Sequence, residues 1–173
     1  MSFNANEFRS KLQYGGARPN LFKVDLVIPD SNAASEEISF MAQAASMPAF
    51  VTGFVDTFYF GRRISHFGDR EYQDWSIQII NDEDYLVRNA LEAWSTRGSE
   101  TNWDTNYVEN KQGLALYCDA TVTSYGKEGD QTKSVILKNA FPIMLSPLEF
   151  SWQENNMIQT FDCTMRFDYF VNA

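Results

Sequence analysis

The chain has 173 residues, enough for one domain with a sizeable core, and its 14 basic residues against 23 acidic ones leave a net charge of −9. So acidic a chain lacks the basic face that wraps DNA or RNA or holds an anionic membrane surface. No apolar run approaches the roughly 20 residues that a membrane span needs, and the N-terminus lacks the apolar centre of a secretion signal.

The N-terminal third predicts an arm followed by strands. Residues 1–20 form the N-terminal arm, with a short amphipathic helix from Asn4 to Leu12 and a turn-rich connector after it. Apolar and polar residues alternate from Leu21 to Ile28, which predicts a half-buried strand. A polar loop and two further strands are then expected, at 29–37, 38–44 and 51–60.

The next stretch, Gly61–Arg70, is the one basic part of the chain. It contains Arg62, Arg63, Arg70 and the single histidine, His66. Neighbouring arginines repel cations, so the histidine is a poor metal ligand. Two interpretations stay open: a solvated hairpin, or a contact with an acidic partner surface.

The stretch Gly68–Trp94 joins a strand to a helix without a break. Trp75 and Ile77 alternate with polar residues, which predicts a strand with one buried face. Asn81 is the expected helix cap, followed by acidic residues that suit a helix N-terminus. Helical spacing then places Leu91 and Trp94 on one face, so we expect these four apolar side chains to form the core.

The C-terminal half predicts more strands. Residues 95–113 are expected to form a long loop. The last predicted strand, 157–170, has an apolar face ending at Tyr169 and a polar face that includes Asp162 and Asp168. The remaining predicted elements, in order, are a strand at 114–125, a turn at 126–130, a strand at 134–141, a connector at 142–148, and a hairpin starting at 149–152 and turned by Asn155-Asn156.

About eight strands and one good helix make the class mainly β with antiparallel connections, in a single domain spanning residues 1–173. Cys118 and Cys163 lie on apolar strand faces without metal-ligand spacing, so buried free thiols are favoured over a disulfide. No nucleophile-and-base set, calcium loop or phosphate loop is present. We therefore expect no catalytic residue, no metal, no cofactor and no enzymatic activity.

Three blocks together carry a family resemblance: ARPNLF at 17–22, GDREYQDWSIQIIND at 68–82, and NNMIQTF at 155–161 running into Phe167-Asp168-Tyr169. They occur in the family's order and span most of the chain. The chain resembles the tail tube proteins of T4-like contractile-tailed bacteriophages.

The resemblance implies a fold and a structural role. The fold is two antiparallel sheets packed as a β-sandwich or barrel with one flanking helix. Six copies form a ring, and rings stack into the inner tail tube of the virion, whose strands join into one inner barrel. The implied partners are the tail sheath, the baseplate and the tape-measure protein, with assembly in the bacterial host cytoplasm. DNA passes through the lumen without specific binding, and no membrane is involved.

Two other functions stay open. The same fold serves the tube of a contractile injection system that delivers protein effectors, and a β-domain that binds a small ligand is the third possibility. Within the tube hypothesis, Arg62, Arg63 and Arg70 are the candidates for contacts between subunits. Asp162 and Asp168 are the candidates for the lumen wall or its immediate rim, where acidic groups would keep DNA from sticking.

Overall fold

The computed structural model describes residues 4–12, 16–29, 31–99, 116–153 and 155–173. Within these residues the chain forms three helices and nine strands. In chain order they are α1 (Ala5–Lys11), β1 (Phe22–Leu26), α2 (Asn32–Met41), β2 (Ala42–Ala45), β3 (Phe50–Tyr59), β4 (Arg62–Tyr72), β5 (Trp75–Ile80), α3 (Leu86–Ser99), β6 (Cys118–Tyr125), β7 (Gln131–Leu145), β8 (Thr160–Arg166) and β9 (Tyr169–Asn172). Most of the predicted 95–113 loop lies outside the described residues.

The long strand β7 belongs to two antiparallel sheets. Its first part pairs with β6 and β9, and β1 continues on the far side of β6; we call this sheet A. Its last part, residues 141–145, pairs with β8, followed by β5 and β2; we call this sheet B. The predicted mainly β class with antiparallel sheets is confirmed. Among the described strands, β3 and β4 pair only with each other.

A corner in β7 separates the two sheets. Asn139 has a φ of +56°, and its side-chain amide donates to the Asp168 carboxylate at 2.6 Å. The Asp168 N–H donates to the Lys138 carbonyl at 3.0 Å. These bonds turn the chain at Asp168, so the predicted continuous strand 157–170 is wrong: it divides into β8 and β9, and Tyr169 is exposed rather than buried.

The core lies between the two sheets and is covered by helices α2 and α3. Trp75, Ile77, Leu91 and Trp94 all belong to it, and Trp75 is only 1% exposed. The Trp75 indole N–H donates to the Ser46 carbonyl at 2.7 Å, so the ring's polar atom is satisfied. The helix packed on β5 is α2, whereas α3 packs on α2 and β7.

Helix α2 corrects the prediction of a loop at 29–37 and a strand at 38–44. The Ser31 side chain caps the helix by accepting from the Ala34 N–H, and the Ser35 hydroxyl donates to the Ser31 carbonyl. Ala34 and Ile38 are buried one turn apart. The serines that suggested a loop are therefore local caps, a role that this residue type often has.

Helix α3 also begins differently from the prediction. Asn81 does not cap it, because the helix begins only at Leu86, and the Asn81 side-chain amide donates to the Gln159 side chain at 2.8 Å. The Asp84 carboxylate accepts from the Leu86 N–H at 3.1 Å instead. The predicted cap therefore fastens the end of β5 to the segment before β8.

The predicted connector at 142–148 and the hairpin strand at 149–152 are also wrong. Pro142 is buried inside β7, and the register shifts between Pro142 and Met144. Such an irregularity accommodates a residue that has no N–H to donate. No strand forms among the described residues of 146–159. Side chains bind backbone groups there instead: the Gln159 side chain donates to the Glu149 carbonyl, and the Ser146 hydroxyl accepts from the Asp162 N–H.

Both cysteines are free thiols. Cys163 is fully buried on β8, as predicted, while Cys118 is only half-buried. Burial raises the pKa of the Cys163 thiol to about 12. Burial also raises the pKa of Cys118, and the neighbouring Asp119 carboxylate adds to this shift.

We expect native-state thiol labelling to reach Cys118 slowly and Cys163 hardly at all, because the thiolate is the reactive species. At pH 8 the native Cys118→Ser variant should incorporate almost no label. Unfolding this variant in urea should then allow one equivalent of label to react. The matched Cys163→Ala variant should label in the native state at the wild-type rate. Rapid native labelling of the Cys118→Ser variant would contradict the burial of Cys163.

Candidate functional site

The outstanding surface feature is the two-stranded hairpin of β3 and β4, residues 50–72, which we call the projecting hairpin. Tyr59 pairs with Arg62, and the two residues between them, Phe60 and Gly61, both have positive φ values of 46° and 75°. Positive φ at both positions gives the turn whose twist matches that of paired strands. The predicted strand 51–60 and the hairpin interpretation of Gly61–Arg70 are confirmed.

The projecting hairpin is attached to the body only at its base. Its ladder continues that of β2 and β5, since the Gln73 N–H donates to the Ala49 carbonyl at 3.1 Å. Tyr72 packs on Phe167 and Phe170, with ring centroids 5.8 and 5.5 Å apart. Beyond this base, the described chain shows no extensive packing of either strand against another helix or strand.

A bulge divides the base from the outer part. The register shifts between Thr52 and Phe54, where Gly53 faces Gly68 across the two strands. A Cβ on Gly68 would lie 2.9 Å from the Gly53 carbonyl carbon, closer than packed atoms approach. Glycine at position 68 therefore permits the close approach that redirects the outer hairpin.

Both faces of the outer hairpin expose apolar side chains. The cross-strand partners Phe54 and Phe67 are 71% and 96% exposed. The other large exposed apolar residues are Val51, Val55, Phe58, Tyr59, Phe60 and Ile64. An isolated two-stranded hairpin is marginal in water, and an apolar patch of this extent marks an interaction surface. The residues of this hairpin thus have the composition of a buried element, but the described residues of the chain give it no partner.

The three predicted contact arginines all lie on β4, but they differ in their partners. Arg63 lies 3.7 Å from the Asp56 carboxylate, and Arg70 stacks 4.3 Å above the Phe50 ring. Arg62, beside the turn, has no ion pair within the described chain. His66 lies 3.5 Å from the Thr57 hydroxyl and is exposed. Of the three arginines, Arg62 is the one with neither an ion pair nor a ring contact among the described residues.

A second exposed apolar surface surrounds a groove of about 550 Å³ formed by residues 146–151 and 157–162. Phe150, Met157 and Ile158 line it and are largely exposed, and Trp152 beside it is 100% exposed. The described lining also holds the carboxylates of Glu149 and Asp162 and no lysine or arginine. Sequence reasoning missed this groove because its apolar residues were assigned to strands.

The two predicted lumen residues do not share a strand face. Asp162 lies on β8 opposite Gln78 of β5, on the polar side of sheet B, and has no ion pair among the described residues. Asp168 is exposed at the bend before β9, where its carboxylate accepts from Asn139. Arg166, the cation on the same side of sheet B, is neutralised by Asp74 at 2.9 Å.

Sheet B also offers two unpaired edges. Among the described strands, β2 pairs only with β5, and residues 141–145 of β7 pair only with β8. Unpaired N–H and C=O groups at such edges are a template for pairing with another chain. This sheet can therefore continue from one copy of the protein to the next.

The described residues offer little for catalysis or metal binding. No group of three or more potential ligands there could hold a metal ion. Three acidic residues, Glu37, Asp82 and Asp84, lie close together where α2 meets the segment before α3. Partial burial raises the pKa of Glu37, and the carboxylates of Asp84 and Asp82 raise it further. None of the described helices has the length and apolar character needed to cross a membrane.

Comparison with known proteins gives one consistent result. The family model described as phage tail tube protein matches residues 16–173. The tail tube proteins gp19 of Enterobacteria phages T6 and T4 are 28% and 27% identical over 154 residues, which cover 88% of this chain and 90% of each relative. A chain in the solved sheath–tube complex of an extracellular contractile injection system, in its extended state, has a similar fold, with a TM-score of 0.61 at 15% identity over 99% of both chains.

Proposed function

Because this chain belongs to the phage tail tube protein family, we propose that it is the subunit of the inner tube of a contractile phage tail. Six copies form each ring, and rings stack into the tube inside the virion. The observation that carries this proposal is the projecting hairpin, an apolar two-stranded element that the described part of the chain leaves uncovered. Self-association covers such a surface without any further partner.

The free edges of sheet B support ring formation. Pairing β2 of one copy with residues 141–145 of β7 in the next would make the four-stranded sheets continuous around the ring. About 24 strands would then close into a barrel roughly 37 Å across before strand tilt widens it. Closure would also leave no exposed sheet edges inside the ring.

In this arrangement the polar side of sheet B forms the lumen wall. That side carries Asp162 without a counter-ion, while its cation Arg166 is held by Asp74. A wall with no free cation does not attract a polyanion, since phosphate contacts to Lys and Arg dominate DNA affinity. The role of the chain is therefore structural rather than catalytic: a rigid conduit through which DNA leaves without sticking.

The outside partners follow from the same role. We propose that the sheath surrounds the tube, that the baseplate starts it and that the tape-measure protein occupies the lumen during assembly in the host cytoplasm. The fold alone also suits an injection system that delivers protein effectors. The family match and the two phage relatives favour the phage tail.

Negative-stain microscopy of the purified chain over a range of concentrations tests the proposal. Rings or tubes with a central channel are expected as the concentration rises. A chain that stays monomeric at every concentration, both alone and with baseplate present, would overturn the assignment.

We expect Asp162→Lys to slow DNA exit from otherwise normal particles. The Debye length grows from about 10 Å at 0.1 M salt to about 30 Å at 0.01 M, so the delay should be larger at low salt. Asp162→Asn is the matched neutral variant and should have a smaller effect. Asp168, proposed for the rim of the lumen, is less suitable for this test because its carboxylate also holds the Asn139 corner.

Ejection from purified particles, followed by fluorescence of a DNA-binding dye, gives the rates. Particles whose tubes look normal but whose ejection is unchanged at low salt would remove Asp162 from the lumen wall.

A further inference from the structure

The projecting hairpin and the groove lie at opposite ends of sheet B. The hairpin continues the ladder where β5 begins, at the bond from the Gln73 N–H to the Ala49 carbonyl. The groove covers the end where β5 finishes, at the 2.9 Å bond from the Asn81 N–H to the Gln159 carbonyl. Six strand residues lie between, so the two features are about 20 Å apart along the strands before the length of the hairpin is added.

This placement excludes a contact between the two features within one chain, and it suits a contact between successive copies. A head-to-tail contact joins two different surfaces and, unless rotation closes it, builds an open filament. One feature protrudes and the other is concave, which is the shape relation that such a contact requires.

The chemistry of the two surfaces is complementary. The hairpin tip presents the exposed rings of Phe58, Tyr59 and Phe60, and the groove presents Phe150, Met157 and Ile158. Methionine adapts to irregular apolar partners and contacts aromatic rings favourably. Beside these apolar groups the tip carries Arg62 without an ion pair in the described chain, while Glu149 lines the groove without a basic neighbour in the described lining.

We infer that the hairpin tip of one copy occupies the groove of the copy stacked on it along the tube, with Arg62 against Glu149. The inference rests on the proposed function and adds to it the surface that receives the hairpin. This contact removes the exposed rings of the tip and the exposed apolar side chains of the groove from water together. The pairing of Arg62 with Glu149 then fixes which way the copies face.

Cross-linking tests the contact in assembled protein. Tip and groove each receive one cysteine, Phe60→Cys and Ile158→Cys, in a Cys118→Ser background. A disulfide needs Cα atoms within about 7 Å, so these two cysteines cannot pair within one chain. Mild oxidation of assembled tubes should then link each copy to the next along the stack, and a non-reducing gel should show a ladder.

The length of the ladder decides the geometry. Cross-linked products that contain more subunits than one ring support the stacking contact. Contacts within a ring close after one turn, whereas contacts between rings continue along the tube. A ladder whose largest product has as many subunits as one ring would place the groove contact within the ring and overturn the inference. Normal tubes without cross-links would also overturn it, whereas a wild-type chain that forms no tubes would overturn the proposed function instead.

A charge exchange gives an independent readout. Arg62→Glu and Glu149→Lys should each raise the concentration needed for tube formation by about tenfold or more, because each places like charges together. The double variant should return toward the wild-type value. Lys133→Glu combined with Glu149→Lys is the mismatched control and should give no rescue. Double and mismatched variants that behave alike would contradict the pairing of Arg62 with Glu149.

Discussion

Trp75→Ala is expected to lower the free energy of unfolding of the monomer by about 3–5 kcal/mol. The ring is 1% exposed and lies in the core cluster on β5, so its removal leaves a cavity that the surrounding strands cannot fill. The Ser46 carbonyl also loses the indole N–H that donates to it at 2.7 Å. Urea unfolding followed by circular dichroism, below the concentration of assembly, gives the value.

Two further variants separate the causes of this loss. Trp75→Phe keeps much of the buried volume but removes the hydrogen bond, so it should cost less than alanine, with about 0.5–1.5 kcal/mol of its cost due to the lost hydrogen bond. Trp152→Ala removes an indole that is 100% exposed and should change the monomer by no more than about 0.5 kcal/mol. Equal losses for Trp75→Ala and Trp152→Ala would refute the core position of Trp75.

Local sequence patterns predicted the structure correctly where a strand buries one of its faces within its own subunit. The alternation at Trp75-Ser76-Ile77 predicts β5 and its buried side because other elements of the same subunit, helix α2 among them, cover that side. The same holds for β1, where Val24 and Leu26 are buried. In these elements the hydrophobic period and the tertiary packing agree, so reading the sequence gives the right result.

Local patterns failed where a distant backbone group decides the structure. Asn81 looks like a helix cap, yet its side-chain amide donates to Gln159, which is distant in sequence. The last strand ends early because Lys138 and Asn139 bind Asp168. Pro142 suggested a connector, whereas an irregularity in β7 accommodates it. Each error depends on a hydrogen bond or register shift that sequence spacing does not encode.

The functional surface was missed for a different reason. Phe54, Phe58 and Phe67 have the residue types of a core, and a single sequence does not reveal that the described part of their own chain leaves them uncovered. The basic cluster did point to this hairpin, through Arg62 and Arg63. The apolar residues around it, which cover far more surface, did not, because burial between subunits and burial within one subunit select the same side chains.

Replacing both Phe54 and Phe67 by serine is expected to prevent tube formation while leaving the monomer folded. The two residues are cross-strand partners in the projecting hairpin, and 71% and 96% of their surfaces are exposed, so the monomer gains little from them. In a tube each buried phenyl ring contributes about 1.5–3 kcal/mol. Losing two per subunit should raise the concentration needed for assembly by roughly 100- to 10,000-fold.

Sedimentation of concentrated protein, with microscopy of the pellet, measures this change, and circular dichroism checks the fold. Phe40→Ser is the matched control, since it removes an equally exposed phenyl ring from helix α2, away from the hairpin and the groove. This control should assemble like the wild type. If it failed as completely as the double variant, general surface hydrophobicity would explain assembly. No other element of the described chain exposes so many aromatic rings. Normal tubes from the double variant would therefore show that the hairpin has no part in tube assembly.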